Sequence, residues 1–314
     1  MSPVEILPAL NPEAIYAKSK QYVVRALRCK GEGDLNEYQL WASLALELLG
    51  KACLARKHPS LIANPTHQTS LFAASGINIG TDIKTIIAKT LFERLRILVT
   101  GFDHNVEKYC VNISERRNAE LHSGELPFEN MKLAAWEARY WHAAQLILHD
   151  MNLNLEGWLG VDRAKAPREL LEHAHQATID AAKVRIEQAR EKFSDQKKAV
   201  KENLLEEAKG KFPFHYRGVF DFSTDEEWMD ECPACSGNAI LAGDQVDEEI
   251  LDEYDEENPW EETVEKYYVA DSFFCPVCQL RLNSQAELEA GGLETSYSEV
   301  ETREREYEPD YGND

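Results

Sequence analysis

Two short cysteine pairs, Cys232-Pro-Ala-Cys235 and Cys275-Pro-Val-Cys278, constrain this chain more than any other feature in it. Two thiolates separated by two residues can grip one ion from a tight turn, and two such turns complete a tetrahedral shell of four sulfurs. That shell suits structural zinc and leaves no position open for catalysis. The surrounding segment is small, polar and acidic, so it needs such a centre to stay folded. Cys232, Cys235, Cys275 and Cys278 are therefore the expected Zn2+ ligands, and residues 211–290 the expected small β domain of zinc-ribbon type. Strands are expected over residues 238–241, after the first turn, and 267–274, before the second. The spacer exceeds the common length of about 15–20 residues and reads as an acidic loop inserted into the ribbon. Cys29, Cys53 and Cys110 lie on helical segments and read as plain core thiols.

Charge divides the chain in the same place. From residue 221 onward there are 29 acidic and 4 basic residues, whereas the first 220 carry 27 acidic and 30 basic. Between residues 244 and 265 there are twelve acidic residues and no basic one. A ribbon of that charge repels phosphate instead of binding it. Its expected role is to contact a regulatory protein or to cover a basic surface; a merely solubilising surface is the plain alternative. The end of the chain, residues 291–314, is rich in Glu, Tyr and Ser and is expected to be a disordered acidic tail. No apolar run approaches the roughly 18 residues of a membrane span. The start, Met-Ser-Pro-Val-Glu-Ile-Leu, lacks the basic and apolar regions of a secretory signal. An odd number of cysteines without such a signal points to reduced thiols and metal, in a cytoplasmic protein with no membrane partner.

The first 160 residues read as helices. Asn11-Pro12-Glu13 is a helix start, with Asn as cap and Pro in the first turn; that helix is expected to end before Gly31 and Gly33. Asp34 caps a second helix reaching about Lys57, with Trp41, Leu44, Ala45, Leu48 and Ala52 as its apolar stripe. Thr81-Asp82 is read as the start of a third, burying Ile83, Ile86, Ile87, Leu91, Leu95 and Leu98 and ending at Gly101. A fourth spans about residues 104–122. A fifth starts at Pro127 and runs to about Met151, with Trp136, Tyr140, Trp141, Ala144 and Leu148 facing inward. Short loops between five helices imply an antiparallel bundle. Residues 167–209 read as one long charged helix, either packed against the bundle or serving as a coiled-coil arm. Alternating aromatics from Phe212 to Phe222 suggest a strand. The expected organisation is mainly α: a helical bundle over 1–160, a charged helix over 161–210, the ribbon over 211–290 and the tail over 291–314.

Within the fourth helix, Arg117, Asn118 and His122 stand just before the stop signal Ser123-Gly124. Asn118 and His122 share a face, being four apart; Arg117 and His122 are roughly 140° apart around the helix. Arg117-Asn118-x-x-x-His122 resembles the Arg-x4–6-His motif of the HEPN superfamily, in the form with Asn directly after Arg that is typical of its ribonucleases. Glu47-Leu48-Leu49-Gly50-Lys51-Ala52 also resembles the second helix of HEPN domains. Glu47 and Lys51 are either a surface ion pair worth about 0.2–0.5 kcal/mol or a support for the motif helix. The resemblance covers about residues 10–155.

That resemblance implies a metal-independent RNA endonuclease acting as a homodimer, of the toxin or anti-phage-defence kind, in which two motif helices meet in one cleft. It implies catalytic roles for Arg117, Asn118 and His122. Arg117 would bind the scissile phosphate. Asn118 would orient the phosphate or His122. His122 would act as base on the ribose 2′-hydroxyl or as acid on the leaving 5′-oxygen. No catalytic metal is expected. The reading from a different class is a non-catalytic HEPN-type adaptor carrying an acidic zinc ribbon. A third idea is that the acidic region mimics nucleic acid and restrains the chain's own site.

Overall fold

Helix α1 (Pro12–Gly31) begins where the sequence places its cap: the Asn11 side chain accepts from the Ala14 N–H at 3.0 Å, with Pro12 in the first turn. Helix α2 (Leu35–Lys57) starts in the same way from Asp34, which accepts from the Glu37 N–H at 3.1 Å. Gly33, at φ 85°, makes the left-handed turn between them. The computed structural model describes residues 7–129, 133–216, 218–220, 224–251 and 260–305, with residues 134 and 135 described by backbone alone. The chain divides into two compact units, Met1–His173 and Ala174–Asp314.

In the first unit, a 3-10 turn (Pro59–Leu61) and a short helix α3 (Gln68–Ala74) lead to α4 (Ala88–Leu98), α5 (His104–His122), α6 (Leu133–Asp150) and α7 (Leu155–Leu159). Helix α2 is central and packs on α1, α4, α5 and α6. Its buried line is Tyr38, Ala42, Ala45, Leu49 and Ala52, with Leu46 and Cys53 beside it. The expected stripe is therefore displaced: Trp41, Leu44 and Leu48 are only half-buried. A helix enclosed on several sides has no single apolar stripe to read. Small residues set its spacing. A Cβ on Gly50 would come within 2.8 Å of Leu95 Cδ1, so glycine there admits α4.

Several buried polar groups in this unit are paired, whereas Gln39 Oε1 and Trp136 Nε1 have no partner among the described residues. Ser19 Oγ donates to Ala45 O at 2.9 Å and accepts from Trp158 Nε1 at 3.0 Å. Glu137 receives both Lys30 Nζ and the Tyr38 hydroxyl. Burial first, and Glu137 second, push the Tyr38 hydroxyl well above the ordinary tyrosine value. The α6 stripe is as expected: Trp136, Tyr140, Trp141, Ala144 and Leu148 are all buried. Among the described residues α6 begins at Leu133, and residues 127–129 form a turn instead of its first turn. The third expected helix starts late, at Ala88. Residues 83–87 are extended, with Thr85 bridged to Ala63. Ile86, Leu91 and Leu95 are buried as expected, but Ile87 is 68% exposed and Leu98 38%.

Helix α8 (Val161–Ser194) and helix α9 (Lys198–Lys209) replace the one long charged helix. The break falls at residues 195–197. Leu170 and Leu171 pack on the core of the first unit, whereas Ala182, Ile186 and Ala189 belong to that of the second. Residues 213–216 form a 3-10 turn (Pro213–Tyr216) and not the expected strand; Phe222, at the end of that expected strand, lies outside the described residues.

The second unit holds an antiparallel sheet of β1 (Glu226–Glu231), β2 (Asn238–Ile250), β3 (Glu261–Phe274) and β4 (Arg281–Leu282), followed by helix α10 (Gln285–Ala290) and strand β5 (Ser296–Glu304). The strand order is β1-β2-β3-β4, with β5 also on β3. Two expectations are corrected here. The acidic insertion is strand over 244–250 and 261–265: β2 continues to Ile250, which pairs with Val264. Part of the tail expected to be disordered is β5, paired with β3 from Ser296↔Val269 to Glu304↔Glu261. Residues 306–314 lie outside the described residues. Cations explain why so acidic a sheet holds. Arg303 reaches Glu262 at 2.7 Å and Glu248 at 2.7 Å, and Lys266 pairs with Glu301. Among the described residues, no helix is long and apolar enough to cross a membrane.

Candidate functional site

The two cysteine turns are built alike. Cys232 N–H donates to Gly237 O at 2.9 Å, and Ser236 N–H donates back to Cys232 O at 2.9 Å. In the second turn, Cys275 N–H donates to Leu280 O at 2.9 Å and Gln279 N–H to Cys275 O at 2.8 Å. The residue after each pair is left-handed, Ser236 at φ 54° and Gln279 at φ 62°. A non-glycine residue there costs roughly 1–2 kcal/mol, which the two backbone bonds of each turn offset. β1 and β2 flank the first turn, and β3 and β4 the second. A Cβ on Gly237 would lie 2.8 Å from Val277 Cγ2 and 3.1 Å from Leu205 Cδ2, so glycine lets the second turn and α9 close in.

The four sulfurs lie within 4.8 Å of one another. Cys232 and Cys278 are 3.6 Å apart, and Cys235 and Cys275 3.5 Å. None is in a disulfide; three are buried and Cys278 is half-buried. A tetrahedral four-sulfur shell with metal–sulfur bonds of about 2.3 Å has edges of about 3.8 Å. The donor set is thus close enough to bind a metal ion, and its four thiolates would repel one another without a cation. Ala234 N–H donates to Cys232 Sγ at 3.4 Å, a contact that favours the thiolate.

The second candidate region is the C-terminal half of α5. Asp103 caps this helix through the Val106 N–H at 2.8 Å, and Ser123 ends it after His122. Arg117 is 9% exposed and points inward, with Nη2 2.6 Å from Glu47 Oε2. Glu47 Oε1 takes Lys51 Nζ at 2.8 Å, and the same Nζ donates to Thr85 Oγ1 at 3.1 Å. The Glu47–Lys51 pair is therefore largely buried, and Glu47 is the member that reaches α5, through Arg117, while Lys51 holds Glu47 and Thr85. Burial alone would raise the Glu47 carboxyl, but Lys51 and Arg117 together hold it below its ordinary value.

Asn118 and His122 are exposed, and neither makes a side-chain hydrogen bond among the described residues. The structure brings Arg117 to Glu47 and not to His122. Two buried atoms here have no partner among the described residues: Arg117 Nε and, one turn on, Glu120 Oε2. Arg116 turns elsewhere, to Asn112 Oδ1 at 3.0 Å and Pro127 O at 2.8 Å. Thr85 and the Glu47–Arg117 contact were not visible in the sequence. They join residues 34 and 70 positions apart, and no local spacing announces them.

Comparison of the chain with protein-family models, with curated proteins and with solved structures gives no match.

Proposed function

We propose that the chain is an RNA endonuclease of HEPN type that acts as a dimer, with zinc as the structural centre of its ribbon. The observation that carries the reading is the Glu47 node. One carboxylate serves two cations, Lys51 and Arg117, and Arg117 keeps a buried N–H without a partner. Arg117 stands one residue before Asn118 and five before His122, both exposed, and its guanidinium fork suits a phosphate oxygen. His122 and its symmetry mate would serve as base and acid. The 2′-oxygen attacks phosphorus and gives its proton to the base, while the P–O5′ bond breaks and the 5′-oxygen takes a proton from the acid. The products are a 2′,3′-cyclic phosphate and a 5′-hydroxyl.

Zinc is assigned to the ribbon because four thiolates with no further donor match its closed structural sites. The ribbon's acidic strands fit a regulatory protein with a basic surface.

The test is cleavage of total RNA by the purified chain in EDTA beside His122→Ala. EDTA-resistant cleavage that the substitution abolishes supports the reading; equal results from both proteins contradict it. A non-catalytic adaptor is the second reading. The burial of Arg117 against a carboxylate favours it, since a guanidinium so engaged can serve packing alone. That reading requires no cleavage by either protein.

A further inference from the structure

The outer face of α1 and the first turn of α8 line a surface cavity of about 680 Å³, open to solvent, that the nuclease reading does not use. Its lining is Gln21, Val24, Arg25, Leu27, Arg28 and Arg163. Three of the six are arginines and none is a carboxylate. We propose that this cavity is a binding site for a phosphate-bearing ligand.

The guanidinium groups are available for such a ligand. Arg28 meets Glu32 only at 3.9 Å, with both side chains about two-thirds exposed, a geometry that contributes little. Arg163 touches Leu159 O at 3.5 Å, too long for a strong bond. Arg25 lies flat on the Trp41 ring, 3.5 Å from its centre. That stacking fixes the plane of the guanidinium and leaves its N–H groups pointing outward from the plane's edge. The nearby carboxylates are engaged elsewhere: Glu156 with Arg168 at 2.6 Å and Asp162 with Lys165 at 3.0 Å.

Like charges gathered in a concave wall repel one another and focus a positive field. A single carboxylate satisfies one guanidinium fork, whereas a phosphate offers several oxygens and up to two charges to three forks. Val24 and Leu27 supply an apolar patch beside the charges.

The phosphate can belong to a free nucleotide or to an RNA strand, and calorimetry on the full chain separates them. The probes are inorganic phosphate, adenosine diphosphate and a single-stranded decamer of 2′-O-methyl RNA, at constant ionic strength. The decamer has no free 2′-hydroxyl, so its binding is read apart from any cleavage, and a failed nuclease reading leaves this test intact. Saturable binding of at least one probe is expected, weakened about tenfold or more by Arg28→Gln with Arg163→Gln. Lys198→Gln, which removes a positive charge from the exposed face of α9, should bind as the parent does. Both substituted arginines are at the surface, and an unchanged melting midpoint confirms folding. Binding of the diphosphate assigns a nucleotide pocket, and binding of the decamer alone assigns a track for RNA backbone. Binding of no probe, or binding that the double substitution leaves unchanged, overturns the proposal.

Discussion

At the scale of single residues, Glu47 is the group on which most depends. It is largely buried and answers two cations, so removing its charge leaves Lys51 and Arg117 uncompensated. Glu47→Gln should lower stability by about 3 kcal/mol in urea titration, with the loss reduced in a second variant that also carries Arg117→Met. The pH dependence has a definite sign. The carboxyl is held below its unfolded value, so its contribution is complete above about pH 4.3 and is lost as pH falls through the folded value. The parent should therefore lose stability in acid over that window more steeply than Glu47→Gln. Glu47 also marks the limit of what a sequence shows. Its i, i+4 relation to Lys51 was visible; its contact with Arg117 was not, because it depends on how α2 and α5 pack. The four cysteines were legible because their ligand spacing is local within each turn.

At the scale of elements, the acidic strands of the second unit are the least obvious outcome. Asp and Glu are poor strand formers, and the run from residue 244 to 265 therefore reads as loop. What makes it strand is pairing of β2 with β3 across the run and of β3 with β5, some 40 residues later, which brings Arg303 onto Glu248 and Glu262. Arg303→Gln leaves the nearly buried Glu262 with only the longer contact to Arg305 at 4.0 Å and should lower the melting temperature. The same sheet needs a glycine. At the register shift after Ala242, a Cβ on Gly243 would stand 2.2 Å from the Val269 carbonyl oxygen. Gly243→Ala should destabilise the sheet by about 2 kcal/mol or more, whereas Gly210→Ala, with open space around it, should not. The long charged helix was misread for a related reason. Its charged residues keep helical spacing on both sides of residue 195, and only the second unit's core selects Ala182, Ile186 and Ala189 as its inner face.

At the scale of the whole chain, each unit has a core of its own, one around α2 and one around the cysteine turns. The account expects one zinc per chain by elemental analysis, with Cys235→Ser lowering that content. A strong chelator should remove one melting transition and leave the other in place. The helical character of the first unit and the place of Arg117, Asn118 and His122 near a helix end could be read from caps and stripes; that Arg117 faces inward onto Glu47 could not, because it depends on how α2 and α5 pack. The most direct measurement compares one strand sequence prepared as RNA and as DNA, incubated with the full chain in EDTA. The account predicts that the RNA is cut to leave 5′-hydroxyl and 2′,3′-cyclic phosphate ends while the DNA, lacking the 2′-hydroxyl, stays intact. Cleavage of both strands, cleavage only when metal is added, or no cleavage of either would contradict it.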